Sequence, residues 1–195
     1  MGKAADTRLN ILQKAFGHIY RNGFQATSID DILAKTQLTK GAFFYHFKNK
    51  EEMGLAMIRE VMQPGMEAAM IGPLRNSENA TGAIYAMMEG LLISPLFFTQ
   101  YGCPAVNLIE EMSPLNAGFR EALTELSDNW RKAITDVLKQ GKIRGEIGSQ
   151  TDPEAAALFI IAGYNGVRNL GKIWGTVAYT SFLKSLKIYL QTLVS

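Results

Sequence analysis

This 195-residue chain is predicted to be all-α, with a small three-helix head followed by a larger helical bundle. Three observations predict this. Apolar residues recur at spacings of three and four, and no alternating strand pattern persists anywhere. Polar or Gly/Pro-rich breaks cut the periodic stretches into helix-sized segments. Residues 27–50 read as two short helices joined by a tight turn. There is no internal repeat, low-complexity tract or dinucleotide fingerprint.

The first helix is expected from about Thr7 to Arg21. Asp6 is its N-cap, Ile11, Leu12, Ala15, Phe16 and Ile19 form its buried stripe, and Asn22-Gly23 stops it. Thr27 and Ser28 are capping residues, and Asp30 and Asp31 each lie three positions beyond one of them, the spacing of a capping box. Ile29, Ile32 and Leu33 supply one apolar face, Thr36-Gln37-Leu38 makes the turn, and Leu38 plugs the space between the helices. Thr39 caps a second helix that runs through Phe47. Phe43 and Phe47 lie four apart and point to the core, while Gly41, Phe44, Tyr45 and Lys48 gather on the opposite side with Lys40 at the edge. Gly41 and Ala42 lack bulk, so backbone can approach a phosphate or base edge there. Two short helices, the second presenting bases and aromatics outward, specify a helix-turn-helix that lays its second helix in the DNA major groove.

A further helix starts near Asn49, with Glu51 and Glu52 in its first turn where the helix dipole favours them. Met53, Ala56, Met57 and Val61 form its apolar stripe, Pro64-Gly65 should kink or end it, and it serves as the lever between head and body. Breaks at 72–79, 113–118, 145–153 and 175–180 leave helices at about 79–99, 104–112, 117–143, 153–174 and 179–194. The domain boundary is placed between 48 and 49: 1–48 is the helix-turn-helix domain, and 49–195 the effector-binding and dimerisation domain.

Charge is unevenly spread. Residues 1–50 hold eight Lys or Arg against three Asp, whereas the remainder is mildly acidic, within a formal net charge of +2. A basic head on an acidic body is the electrostatic footprint of a nucleic-acid reader joined to something else. One cysteine excludes an internal disulfide framework and suits a reducing compartment. The N-terminus lacks the apolar core of a signal peptide, and no run of 18 apolar residues occurs, so a cytoplasmic protein with no membrane partner is expected.

The run at 23–32 (Gly-Phe-x-x-Thr-Ser-Ile-x-Asp-Ile) and the run Thr-Lys-Gly-Ala-Phe-Phe-Tyr-His-Phe-Lys-Asn-Lys-Glu-Glu at 39–52 resemble the DNA-binding domain of the TetR/AcrR family of bacterial transcriptional repressors. The motif covers about 50 residues, and the length and all-helical pattern of the rest also fit. The resemblance implies operator DNA as a partner, with Thr27, Ser28, Thr39, Lys40, Gly41, Ala42, Phe44, Tyr45, His46 and Lys48 as the DNA-contacting set. The family usually carries Tyr at the position of Phe44, where a hydroxyl reaches the DNA backbone; here neighbouring Tyr45 offers a substitute. The resemblance also implies a homodimer formed through the last two helices and a small-molecule effector bound in the body. Two features of the chain suit such a dimer. Ala155, Ala156, Ala157, Ala162, Gly163, Gly166 and Gly171 are small, and Phe182, Leu186, Tyr189 and Leu193, widened by Leu183 and Leu190, form a stripe on the final helix.

Met and aromatic residues of the body, including Tyr85, Met87, Met88, Phe97, Phe98, Tyr101, Met112, Trp130, Phe159, Tyr164 and Trp174, are mostly ordinary core, some of them available to line an effector cavity. Asn165 and Arg168, on an otherwise apolar helix, are better candidates for polar contacts to an effector, and Arg168 also suits a salt bridge. Cys103 precedes Pro104, a residue favoured at the first position of a helix, so its thiol lies at or beside an N-cap. The stretch Gly-Cys-Pro-Ala-Val-Asn-Leu-Ile-Glu-Glu-Met resembles the branch of the family that includes the N-ethylmaleimide reductase repressor. That resemblance implies an electrophile- or oxidant-sensing role for Cys103, with Lys172 at the position of a lysine that bonds to the oxidised cysteine. A small buried hydrophobe is the structural alternative.

Neither His18 nor His46 forms a metal-ligand spacing or a nucleophile–base pair with Cys103, so no cofactor, metal site or enzyme activity is expected. The alternatives are a helical carrier or interaction protein without operator binding, and a cysteine-dependent enzyme.

Overall fold

The structure is a computed structural model that describes residues 2–36, 38–95 and 97–194. Gln37 of the expected turn lies outside the described residues. Among the described residues the chain is helical, with a single isolated bridge between Ile147 and Val194 in place of any strand. It divides into two compact units, Met1–Gly65 with Pro104–Leu126, and Met66–Cys103 with Ser127–Ser195. These units differ from the sequence boundary at 48 and 49, because the first keeps the helices that follow the helix-turn-helix and takes in a segment from far along the chain.

In the first unit, α1 (Lys3–Asn22), α2 (Ile29–Thr36), α3 (Lys40–His46) and α4 (Lys50–Met57) surround a core of Ile11, Leu12, Ala15, Phe24, Ile32, Phe43, Phe47, Met53 and Met57. Burial of each large apolar side chain stabilises by roughly 1.5–3 kcal/mol, which gives this small head its rigidity. Gly2 precedes α1, so Asp6 sits inside the first turn and does not cap it. Ser28 and Asp31 make the reciprocal cap of α2: the Ser28 N–H donates to Asp31 Oδ2 at 2.8 Å, and the Asp31 N–H to Ser28 Oγ at 3.1 Å. Thr27 has no part in it.

Arg8 organises the head. Its guanidinium forks onto Glu60, donates to the His46 carbonyl at 3.0 Å and lies 4.4 Å over the Phe47 ring, so α1 holds the end of α3. Phe24 and Phe119 meet edge to face at 4.8 Å over Gly54, where a Cβ would come within 2.6 Å of both rings. Only glycine fits there.

After α4 the helical run does not stop at Pro64. It continues through a π turn (Ile58–Met62), α5 (Gln63–Met66), a second π turn (Glu67–Ile71) and a 3-10 turn (Gly72–Leu74). Pro64 has no N–H to give to the turn before it. The chain answers by widening, and the Gln63 and Gly72 amides bond five residues back, to Ile58 and Glu67.

The remaining helices are α6 (Ala80–Ile93), α7 (Pro104–Met112), α8 (Ala117–Ile143), α9 (Pro153–Trp174) and α10 (Thr176–Gln191). α6 ends earlier than its apolar pattern suggests, because Ser94 precedes Pro95 and is pushed to extended backbone. α10 begins earlier, since Gly175 alone, at φ 69°, separates it from α9. In the second unit, Asn79 caps α6 and the Glu146 carboxylate accepts the Ala80 amide at 2.7 Å. Asp152 caps α9. Phe182 and Tyr179 of α10 lie against Gly163 and Gly171 of α9, filling the space a side chain would take. Of the stripe expected to face a partner, Leu183, Leu186, Leu190 and Leu193 are buried within this chain, while Phe182 and Tyr189 are half-buried.

Candidate functional site

The second helix of the expected helix-turn-helix is α3. The Thr39 hydroxyl accepts the Ala42 N–H at 3.2 Å, which fixes the helix start. Phe43 and Phe47 are 0% and 1% exposed, anchoring one face, while Phe44 and Tyr45 are 51% and 78% exposed on the other. Gly41 and Lys48 are exposed with them, and no ion pair among the described residues holds Lys48. Lys40 is exposed too, and pairs with Asp30 at 2.9 Å. His46 is half-buried, its ring edge to face with Tyr45 at 4.9 Å and its carbonyl held by Arg8. Ser28 is exposed, with its hydroxyl on Asp31.

Thr27 corrects the expected set. It is 1% exposed and its hydroxyl donates to the Gly23 carbonyl at 2.7 Å, so its side chain is part of the interior.

Two residues that the sequence left as general charges prove to hold the loop in front of α2. The Lys50 ammonium turns inward, donating to the carbonyls of Phe24 at 3.0 Å and Thr27 at 2.9 Å, above the Phe24 ring at 4.6 Å. The Glu111 carboxylate of α7 accepts the amides of Phe24 at 2.8 Å and Gln25 at 2.7 Å. A carboxylate on N–H groups and an ammonium on carbonyls clamp one five-residue loop from both sides. No local pattern marks either residue, because their partners are backbone atoms far away in sequence.

The second unit gathers most of the other expected residues. Arg168 is fully buried, and its Nη2 donates to the Gly102 carbonyl. The Lys172 side chain lies across Gly102, the residue that precedes Cys103 in the chain. Cys103 is buried and hydrogen-bonded with the Tyr164 hydroxyl, and burial first, then that thiol, pushes the phenol well above its ordinary range. Trp130 is buried with its ring edge to face with Tyr164 at 5.2 Å. Asn165 is half-buried and contributes no hydrogen bond to this group. The salt bridge open to Arg168 is not formed: no carboxylate pairs with it among the described residues. Tyr179 joins the group unforeseen, its ring 5.4 Å from the guanidinium. No cluster of three His, Cys, Asp or Glu able to hold a metal ion occurs among the described residues, and no described helix is long and apolar enough to cross a membrane.

Comparisons with known proteins agree with this architecture. Residues 11–57 match the family described as "Bacterial regulatory proteins, tetR family", and residues 97–182 match "Tetracyclin repressor-like, C-terminal domain". An uncharacterised HTH-type transcriptional regulator from the lacX 3' region of Lactococcus lactis subsp. lactis is 32% identical over 169 residues, covering 86% of this chain and 84% of that protein. The HTH-type transcriptional repressor NemR of Escherichia coli (strain K12) is 25% identical over 142 residues, 70% of this chain and 69% of its own. A TetR transcriptional regulator from Chloroflexus aurantiacus J-10-FL has the same fold, with a TM-score of 0.88 at 26% identity over 100% of this chain and 98% of that one. With its helix-turn-helix head and helical body, the chain belongs to the TetR family of bacterial transcriptional regulators.

Proposed function

We propose that this regulator is a repressor that binds operator DNA as a homodimer and is released when its body takes up a small-molecule or electrophilic effector. The observation that carries the reading is the split character of α3: one face is locked by Phe43 and Phe47, and the other offers Phe44, Tyr45, Lys48 and the bare backbone of Gly41 to solvent. Exposed aromatics on a seven-residue helix make poor surface and good contact surface. Lys40, Lys48 and Ser28 serve phosphates, Thr39 and Ala42 set the helix start, Tyr45 supplies the hydroxyl that Phe44 lacks, and His46 positions α3 through its carbonyl. One recognition helix spans too few base pairs, so two copies are needed. The pairing surface we assign is the outer face of α9 and α10, where Leu158, Phe159, Ile173, Trp174, Val177 and Ile188 are exposed. The helical run from Lys50 to Leu74 is the lever by which a change in the body reaches the head, a coupling of about 1–3 kcal/mol.

The test is anisotropy of a labelled duplex from beside the chain's own gene, titrated at several salt concentrations. Two chains per operator are expected. Lys48→Ala should weaken all duplexes alike and reduce the salt slope by about one. An unchanged affinity and slope would remove α3 from the interface, and no duplex binding at low salt would favour a carrier or interaction protein.

The placement of Cys103 favours a second, finer reading, in which the effector is an electrophile or oxidant. The thiol lies in a buried pair with Tyr164, and Lys172 crosses the adjacent Gly102, matching the resemblance to the N-ethylmaleimide reductase repressor branch. Cys103→Ser should abolish release of operator by N-ethylmaleimide or hypochlorous acid while leaving operator affinity intact. Release that survives the substitution rejects the sensor.

A further inference from the structure

We infer that Arg168 is the anchor of a binding site for a small organic carboxylate, built into the second unit among Trp130, Tyr164, Tyr179 and Phe97. This deepens the effector reading above by naming the class of ligand.

A guanidinium stays charged under any physiological condition and carries five N–H donors. Arg168 is 0% exposed, yet the protein supplies one acceptor, the Gly102 carbonyl on Nη2. Nε and Nη1 have no partner. Every ion pair among the described residues is made by other side chains, so no carboxylate neutralises this charge. The rings of Phe97, Tyr164 and Tyr179, 5.9, 6.0 and 5.4 Å from the guanidinium carbon, attract the cation. They accept none of the hydrogen bonds still missing. Trp130 adds a second orphan: its Nε1 is buried without an acceptor, on the ring that meets Tyr164 edge to face.

A buried charge with unmet donors is disfavoured strongly enough that such groups are normally paired. Arg168 Nε and Nη1 and Trp130 Nε1 can only donate, and the buried Tyr179 hydroxyl, also without a partner, can donate as well. Three unmet donor nitrogens and one fixed positive charge call for a partner that accepts and that carries one negative charge, which is the description of an ionised carboxylate. One cation matches a monoanion better than phosphate, and the aromatic rings suit an apolar or unsaturated organic remainder. Because Arg168 also holds the carbonyl of Gly102, next to Cys103, occupancy would act on the segment that enters α7.

The experiment is titration calorimetry on the full-length protein without DNA. The probes are sodium acetate, propionate, butyrate and benzoate, with benzamide as the uncharged counterpart of benzoate and sodium chloride and inorganic phosphate as inorganic anions. At least one carboxylate should saturate at one per chain. Its affinity should fall about thirtyfold or more in Arg168→Met, the loss expected when one side of a buried charge pair is removed. Trp130→Phe, which keeps the packing, should weaken it several-fold, and benzamide should not bind. No saturable binding across the carboxylates, equal binding of benzamide and benzoate, or Arg168-dependent binding of chloride or phosphate alone would each overturn the assignment. Should Arg168→Met fail to fold by circular dichroism, Arg168→Lys and Trp130→Phe carry the test, and unchanged carboxylate affinity in both overturns it. Operator binding is measured separately. Its failure strikes the proposed repressor function alone, whereas failed carboxylate binding beside intact operator binding strikes this inference alone.

Discussion

Lys50 and Arg168 are both cations turned away from solvent, and their surroundings are opposite. The Lys50 ammonium finds backbone carbonyls at 2.9 and 3.0 Å and an aromatic ring beneath it, while Glu111 answers the amides of the same loop. Arg168 has three rings and one carbonyl, and two of its donor nitrogens go without. A fully answered cation belongs to the architecture: it holds the 23–27 loop from which α2 starts. An incompletely answered one marks where the molecule expects something from outside. Lys50 is half-buried and Arg168 fully buried, but it is the hydrogen-bond inventory that tells the two roles apart.

Removing each charge should therefore give different results. Lys50→Met strands the Phe24 and Thr27 carbonyls and should destabilise by about 1–3 kcal/mol, read as a lowered thermal midpoint together with weakened operator binding. A midpoint unchanged from the wild type would mean water replaces the ammonium and the clamp is incidental. Arg168→Met, in the absence of ligand, should leave stability within about 1 kcal/mol of wild type or raise it, because an apolar side chain relieves the unmet donors. A large loss there would show that Arg168 is as architectural as Lys50, and would erase the contrast.

The smallest effect concerns pH. The Asp31 carboxyl is held below its ordinary range by the Ser28 hydroxyl and then by the Ser28 amide. Its folded pKa is depressed, so the cap contributes fully above the ordinary carboxylate range and is lost as pH falls through the lowered value. An NMR titration of Asp31 should show the depressed midpoint in the wild type and its return toward the ordinary value in Ser28→Ala. Identical midpoints would make the cap electrostatically silent.

The head was legible in advance because its signals are local. Thr39 capping α3, Ser28 with Asp31 and the inward Phe43 and Phe47 all follow from spacings of three and four residues. Thr27 misled for the same reason, since it has the chemistry of a cap but is drawn inside by the Gly23 carbonyl. The small residues of α9 suggest room for a partner, yet Gly163 and Gly171 admit Phe182 and Tyr179 of the same chain. The exposed apolar residues lie on another face.

Capping, helical periodicity and uneven charge are properties of neighbours along the chain, and they were enough to determine an all-α protein with a helix-turn-helix head and its recognition helix. Which cations are satisfied, which glycines receive a ring, and how Arg168 and Lys172 converge on Gly102 depend on atoms brought together from different helices and loops. Those pairings exist only once the helices have packed, because a hydrogen bond is decided by distance and direction, and sequence spacing encodes neither beyond a turn or two of helix.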